Sequence, residues 1–242
     1  MNFTLDIHIH TIASTHAYST LSENAAHAAS IGLTHIGVAE HGPAMPDGAH
    51  LYNFLNSYCI PDLIYGVHVL KGAEANIINQ DGEIDLPLEA LKKLDFVIAS
   101  LHRGVLPSST CELNTKAMVQ AMQNPNVHIL GHPNSANYPV DMEAIVKAAA
   151  RTRTIVEINN QTLAEGSIRF EGIKPMEALL QLCKQHRVSV LASSDAHFCT
   201  SVGDFRNVKP LIEASGIPEE LVVNTSVDRL FATINAKKEL MT

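Results

Sequence analysis

Basic residues are scarce in this chain: 17 Lys and Arg stand against 25 Asp and Glu, a formal charge of −8 with histidine neutral. A surface of that sign repels polyanions, and no run of Lys or Arg is present to follow a phosphate backbone, so extended nucleic-acid binding is set aside. Long apolar runs are missing as well. None approaches the roughly 20 residues of a membrane helix, and Met1 to His10 lacks the basic and apolar regions of a secretory signal, so a cytoplasmic protein that avoids membranes is expected. The four cysteines, Cys59, Cys111, Cys183 and Cys199, have no paired spacing and are expected as free thiols. No fixed-period repeat, low-complexity tract or Pro/Gly-rich linker interrupts the chain, which speaks for one unit over residues 1–242. A small anionic ligand stays open, because bound cations can make one pocket positive on an acidic protein.

What is present is an alternation. With 46% hydrophobic residues the chain can fill a sizeable core. Short β-branched runs read as strands at Leu5 to His10, Thr34 to Ala39, Val67 to Gly72, Asp95 to Ser100, Val127 to Gly131, Thr154 to Asn159 and Val188 to Ala192. Between them lie helix-like stretches at Ser22 to Ile31, Asn114 to Gln123, Asp141 to Ala150 and Pro175 to His186, with a last helix at Val227 to Lys238. This order predicts an α/β fold with a parallel sheet and helical crossovers. Nearly every strand runs into a histidine or an acid. In a parallel barrel the strands' carboxyl ends ring one face, so these distant residues converge there.

The first anchor is Asp6-Ile7-His8-Ile9-His10. Strand geometry of period two predicts Asp6, His8 and His10 on one face, with Asp6 orienting a histidine that holds a metal ion. The second is Asp195-Ala196-His197, after the apolar run that ends at Ala192. Glu74, in Gly72-Ala73-Glu74-Ala75-Asn76, has two oxygens with which to bridge two ions. His16, His41, His102 and His132 are each ambiguous alone. Together, seven histidines with Glu74 and Asp195 exceed the three protein ligands of an ordinary catalytic zinc site, so more than one ion is expected. The other six histidines, His27, His35, His50, His68, His128 and His186, are expected at the surface or in packing. Arg103, Asn159 and Arg169, with Asn160, follow strands and are candidates for contact with phosphate or with the remainder of a substrate.

In sum of motifs, Asp6-x-His8-x-His10-Thr11, Ser14-Thr15-His16-Ala17-Tyr18-Ser19, Glu40-His41-Gly42, Gly72-x-Glu74-Ala75-Asn76, His102, Gly131-His132-Pro133 and Ser194-Asp195-Ala196-His197 resemble the PHP (polymerase and histidinol phosphatase) family, in particular its YcdX-type phosphatases. The resemblance runs in order from Asp6 to about Arg229. It implies a distorted (β/α)7 TIM-like barrel with about three ions at its carboxyl-end face, usually zinc, with manganese or iron as further candidates. It also implies ligand sets: His8, His10, Glu74 and Asp195 for one ion, Glu74 with His102 and His132 for a second, and His16, His41 and His197 for a third. One departure is Glu40, where the family often has Asp. The implied activity is hydrolysis of small phosphate monoesters, with Glu74, Asp195 and His132 acting through ions that bring the pKa of water toward roughly 7.

Three other readings compete. An amidohydrolase-like C–N hydrolase also opens with His-x-His, but commonly uses a bridging lysine where this chain has Glu74. A PHP-type nuclease is opposed by the charge of −8. A non-catalytic metal-binding regulatory module would have lost ligands, and here all are kept. The expected partner is a small phosphorylated substrate; a homo-oligomer stays open.

Overall fold

The computed structural model describes residues 1–170 and 172–241. Seven strands lie side by side, all parallel, in the order β1 (Leu5–Ile9), β2 (His35–Val38), β4 (Val67–Asn76), β5 (Phe96–Ser100), β6 (Ile129–Leu130), β7 (Ile155–Asn159) and β8 (Val190–Ser193). A two-residue strand, β3 (Leu63–Ile64), pairs antiparallel with the start of β4. The crossovers carry α1 (Leu21–Ser30), α2 (Leu51–Leu55), α3 (Leu88–Leu91), α4 (Cys111–Ala121), α5 (Met142–Thr152) and α6 (Ile173–His186), and α7 (Lys209–Ser215) and α8 (Val227–Met241) follow β8. Local sequence starts the longer helices: Thr20 and Glu23 form a reciprocal capping box before α1, and the side chains of Thr110 and Asp141 accept from Leu113 N and Ala144 N at the starts of α4 and α5.

The lower half of the barrel is apolar. Leu5, Ile7, Leu70, Phe96, Ile98, Ile129, Ile155 and Leu191 form one buried cluster inside it, closed from the strands' amino ends by Leu230 and Ile234 of α8. Phe96 needs the space that two glycines leave: a Cβ at Gly72 would lie 2.2 Å from its ring, and one at Gly37 2.8 Å. Each such large side chain, fully buried, contributes about 1.5–3 kcal/mol of hydrophobic free energy. The apolar floor leaves the upper half of the barrel to polar residues.

The ring closes between β8 and β1 with little ladder. At the carboxyl end Ile9 pairs with Ala196, and His10 N donates to Ala196 O at 2.9 Å. Lower down, the side chain of Asn224 fills the seam: Nδ2 donates to Ala192 O (2.7 Å) and Leu5 O (3.2 Å), and Oδ1 accepts from Ala192 N (2.7 Å). The fold is a parallel barrel of seven strands, as the alternation predicts, of the distorted kind that the resemblance implies. Two strands differ most from their expected lengths. The third long strand, expected to end at Gly72, continues to Asn76 because β5 pairs with it from Gly72 to Asn76, and the expected Val127–Gly131 strand shrinks to Ile129–Leu130. Among the described residues, no helix is long and apolar enough to cross a membrane.

Candidate metal centre

Glu74 stands at the hub of the upper barrel. Leu70, Gly72, Glu74 and Asn76 share the inner face of β4, while Ala73 and Ala75 pack outward with Leu86, Ala90 and Leu91. The extra length of β4 therefore carries Glu74 into the middle of the strand-end residues. Its carboxylate is buried and its two oxygens face different groups. Oε1 lies 3.0 Å from His132 Nε2 and 3.2 Å from His102 Nε2. Oε2 lies 2.8 Å from His41 Nδ1, 3.3 Å from His8 Nε2 and 3.7 Å from His10 Nε2. Asp195 closes the ring from β8, with Oδ1 at 3.2 Å from His10 Nε2 and 3.6 Å from His8 Nε2. His16 and His197 meet beside it, Nε2 to Nε2 at 2.8 Å. The structure thus brings all nine sequence-predicted ligands together.

The period-two expectation for β1 needs correction. Register shifts between Asp6 and Ile9, so Leu5 and Ile7 point into the apolar floor and His8 and His10 still point into the ring above, while Ile9 packs outside against α1. Asp6 is turned away from the histidines' ring nitrogens and accepts from Ser194 N (3.2 Å) and Gly203 N (2.8 Å). Burial pushes its carboxyl up to about 6. The place expected for Asp6, against the far nitrogen of a histidine, is taken by Glu157 of β7, which stands in none of the sequence motifs. Glu157 is fully buried; Oε1 accepts from His8 Nδ1 and Ser193 Oγ, both at 2.5 Å, and Oε2 accepts from His132 N at 2.6 Å.

Hydrogen bonds at the far side of the rings decide what the near side offers. A carboxylate or carbonyl oxygen can only accept, so the proton of His8 sits on Nδ1, against Glu157. That of His197 sits on Nδ1, 2.9 Å from Asp195 O, and that of His102 on Nδ1, 2.6 Å from Asn76 Oδ1. His16 Nδ1 is 2.9 Å from Asp47 Oδ2 without hydrogen-bond alignment, and the charge of the carboxylate favours a proton on that nitrogen. Each of these rings then turns an Nε2 lone pair toward carboxylate oxygens or another lone pair. Such an arrangement repels itself unless positive charge lies between the groups. His8 Nε2, His41 Nδ1 and Glu74 Oε2 are buried with no hydrogen-bond partner. Three sets of donor atoms come close enough to share an ion: His8, His10 and Glu74; His41, Glu74 and His102; and His10, His41 and His197. The donor set fits divalent ions bound through imidazole and carboxylate. His41 stands in two of the sets rather than with His16 and His197 alone.

The electrostatics agree. Burial by itself raises Glu74 and Asp195, yet His102, His8 and His41 around the first, and Arg169 and His8 beside the second, hold both well below the carboxylate range. Burial lowers His8, but Glu157, Glu74 and Asp195 outweigh it and hold His8 well above the ordinary imidazole value. The site calls for positive charge at its centre. Two of its residues, His132 (φ 24°) and Asp195 (φ 53°), adopt left-handed backbone, a conformation that costs free energy and recurs where side chains must be aimed.

Loop anchoring explains Glu40. Its carboxylate accepts from Thr11 N (2.9 Å), Thr11 Oγ1 (2.5 Å), Ser14 N (3.1 Å) and Ser14 Oγ (2.6 Å), fixing the loop that leads to His16. Over the ring opens a cleft of 590 Å³, with Met45, Leu101, Tyr138 and Ile168 among its apolar wall and Arg103 and Arg169 among its polar one. Arg169 Nη2 donates to Asp195 Oδ2 at 2.5 Å. Asn159 is fully buried and spent on the same oxygen (Nδ2, 3.1 Å) and on Thr162 N, so it positions Asp195 and does not face the cleft. Asn160 is likewise buried, bonded to Asn207. Glu157 and Asn159 did carry a signal, for both lie on one face of a strand otherwise made of Ile and Val. Asp47 lies in a loop where no period applies.

Comparison with known proteins gives concordant matches. The PHP domain family model matches residues 6–163. A probable phosphatase of Caldanaerobacter subterraneus subsp. tengcongensis is 46% identical over 240 residues, covering 99% of this chain and 94% of that protein. A probable phosphatase of Clostridium novyi (strain NT) is 40% identical over 240 residues, covering 99% and 98%. Among solved structures, histidinol phosphate phosphatase from Lactococcus lactis subsp. lactis Il1403, complexed with zinc, L-histidinol and phosphate, shares the fold at a TM-score of 0.62 and 19% identity, over 89% of this chain and 94% of that one. The family match stops before Asp195 and His197, which the barrel's closure brings back to His8 and His10. Matched by the family over more than half its length and aligned with these relatives almost end to end, the chain belongs to the PHP family.

Proposed function

We propose that this chain, a phosphoester hydrolase by its family and its relatives, cleaves phosphate monoesters of small molecules at a centre of about three divalent ions, zinc foremost. The observation that carries the reading is Glu74: one buried carboxylate whose two oxygens face separate sets of imidazoles. His8, His10, Glu74 and Asp195 would hold one ion, Glu74, His102 and His132 a second, and His16, His41 and His197 a third. What such ions supply when bound is Lewis acidity toward phosphate oxygens and a pKa for water brought toward about 7. The chain's own residues do the rest. Glu157, Asn76 and the Asp195 carbonyl keep the imidazole protons on the far nitrogens. Asn159 and Arg169 occupy Asp195 Oδ2 and leave Oδ1 to the centre. Arg169, on the cleft wall, retains N–H groups for a phosphate oxygen, and Arg103 stands farther out, beside the rest of the substrate.

A cleft of 590 Å³ is of the size that small molecules fill, while the net charge of −8 works against a polyanion on the surface around it. An amidohydrolase-like reading finds no lysine at the hub, where Glu74 stands. The test joins two measurements on the purified full-length protein: metal content, and initial rates on p-nitrophenyl phosphate, its diester and a single-stranded oligonucleotide at near-physiological salt. More than one transition-metal equivalent per chain with a preference for the monoester supports the proposal. Full activity after removal of metal, or a strong preference for the oligonucleotide, overturns it.

A further inference from the structure

Asp85 lies outside the ligand ring, in the segment after β4, and touches none of the nine predicted ligands. Its carboxylate nevertheless organises two of their neighbours. Oδ1 accepts from Asn76 N at 2.8 Å; Oδ2 accepts from Asn76 Nδ2 at 2.6 Å and from Ala44 N at 2.9 Å. The other hydrogen of Asn76 Nδ2 goes to Gly42 O at 3.1 Å. Both partners of Nδ2 can only accept, so the amide of Asn76 has one orientation, with Oδ1 toward His102 Nδ1 at 2.6 Å. Asp85 reaches its seat because residue 42 is glycine: a Cβ there would lie 2.3–2.6 Å from the carboxylate atoms.

We propose that Asp85 is a positioning residue that orients the Asn76 amide and thereby fixes His102 as the Nδ1–H tautomer, with Nε2 free to hold a metal ion. The inference rests on the reading of His102 as a ligand given above. If the amide reversed, its NH2 would face His102 Nδ1, the ring proton would move to Nε2, and the lone pair needed at Glu74 Oε1 would be gone. Charge on Asp85 matters here only through direction: an acceptor at this place forces a donor on one side of Asn76 and an acceptor on the other.

The test uses the zinc-loaded full chain and its Asp85→Asn variant, isosteric but able to donate, with ¹⁵N-histidine spectra to read the tautomer and elemental analysis to read metal. Wild type should show His102 protonated at Nδ1. Asp85→Asn should lose that signal and about one equivalent of metal per chain, a ligand's orienting partner being worth about 10–100-fold in affinity. In the exchanged pair Asn76→Asp with Asp85→Asn, either carboxylate oxygen of residue 76 accepts from His102 without having to be oriented, so the Nδ1–H signal should return. An Asp85→Asn variant with wild-type tautomer and metal overturns the proposal. So does an exchanged pair that fails to recover the signal, which would leave Asp85 a merely structural role. Should Asp85→Asn not fold, Asp85→Ala, which removes the acceptor without adding a donor, takes its place with the same two readouts: loss of the signal supports the proposal, and wild-type tautomer and metal overturn it. His102→Ala separates this inference from the one beneath it: unchanged metal content there removes His102 from the ligand set, whereas loss there with none in Asp85→Asn removes only the role of Asp85.

Discussion

Replacing Glu157 with Gln changes one oxygen to an NH2 and nothing in shape, and the geometry leaves the amide no comfortable orientation. Placed with its oxygen at the Oε1 position, it serves His8 Nδ1 and Ser193 Oγ, but its NH2 faces the backbone N–H of His132, which Oε2 now meets at 2.6 Å. Placed the other way, it serves His132 and turns the NH2 on His8 Nδ1–H, so that His8 must carry its proton on Nε2 and cannot ligate. The first arrangement leaves a buried donor unpaired, at about 1–3 kcal/mol; the second removes a ligand. The expected result is metal affinity lower by about 10–100-fold with a parallel fall in kcat, while the fold persists. Chelator competition monitored by a zinc indicator, with thermal unfolding in excess metal as the control for folding, measures this. Ser193→Ala removes one bond to Glu157 and spares His8 and His132, so its effect on affinity should be much smaller. Wild-type affinity together with wild-type thermal stability in Glu157→Gln would refute the claim that Glu157 must accept from His8 and His132 at once.

Glu74→Ala should abolish activity more completely than His16→Ala, because the first removes the carboxylate between the imidazole sets and the second one outer ligand; equal losses at equal metal content would count against bridging. Lys237 of α8 is fully buried, with Nζ donating to Met122 O and Thr154 Oγ1, both at 2.7 Å, and burial lowers its pKa to about 7. A lysine that gives up its proton more readily when folded adds stability as pH rises from about 7 toward its unfolded value of about 10.5. Unfolding free energies across that range should show the gain, and Lys237→Met should flatten it; a gain of the same size in the variant would exclude Lys237 as its source. Asn224→Ala strands Ala192 N, Ala192 O and Leu5 O in the seam, so about 2–4 kcal/mol of stability should be lost in denaturant titration. A loss below about 0.5 kcal/mol would show that water or relaxation replaces the stitch.

The barrel, and the gathering of the candidate ligands at one end of it, were legible in the sequence because both rest on strand order: parallel strands deliver their ends to one face whatever the helices between them do. The register within β1 was not. Strict alternation aimed Asp6 inward, and only the bulge before His8 lets Ile7 fill the floor while His8 joins the ring above it. The partners of Glu157 and Asn159 are not legible in the sequence, since a polar residue in an apolar strand signals burial without naming its partner. His8 is 149 positions from Glu157, and no local pattern spans such a distance. Glu40 was noted as a departure, and its four bonds to Thr11 and Ser14 account for the longer side chain.

The seam between β1 and β8 gives the centre a second meaning. His10 and Asp195 are 185 positions apart, and they meet only once the last strand has come round to the first, across a junction held by one backbone bridge, the side chain of Asn224 and the bonds that Asp6 accepts from Ser194 and Gly203. Contacts of such separation carry the largest loop-closure entropy and form late. Ions held by residues on both sides of that junction favour the closed ring over every open one, in proportion to how tightly they bind. On the proposed reading the ligand set is also the clasp of the fold, and removal of metal should weaken the chain where its two ends meet.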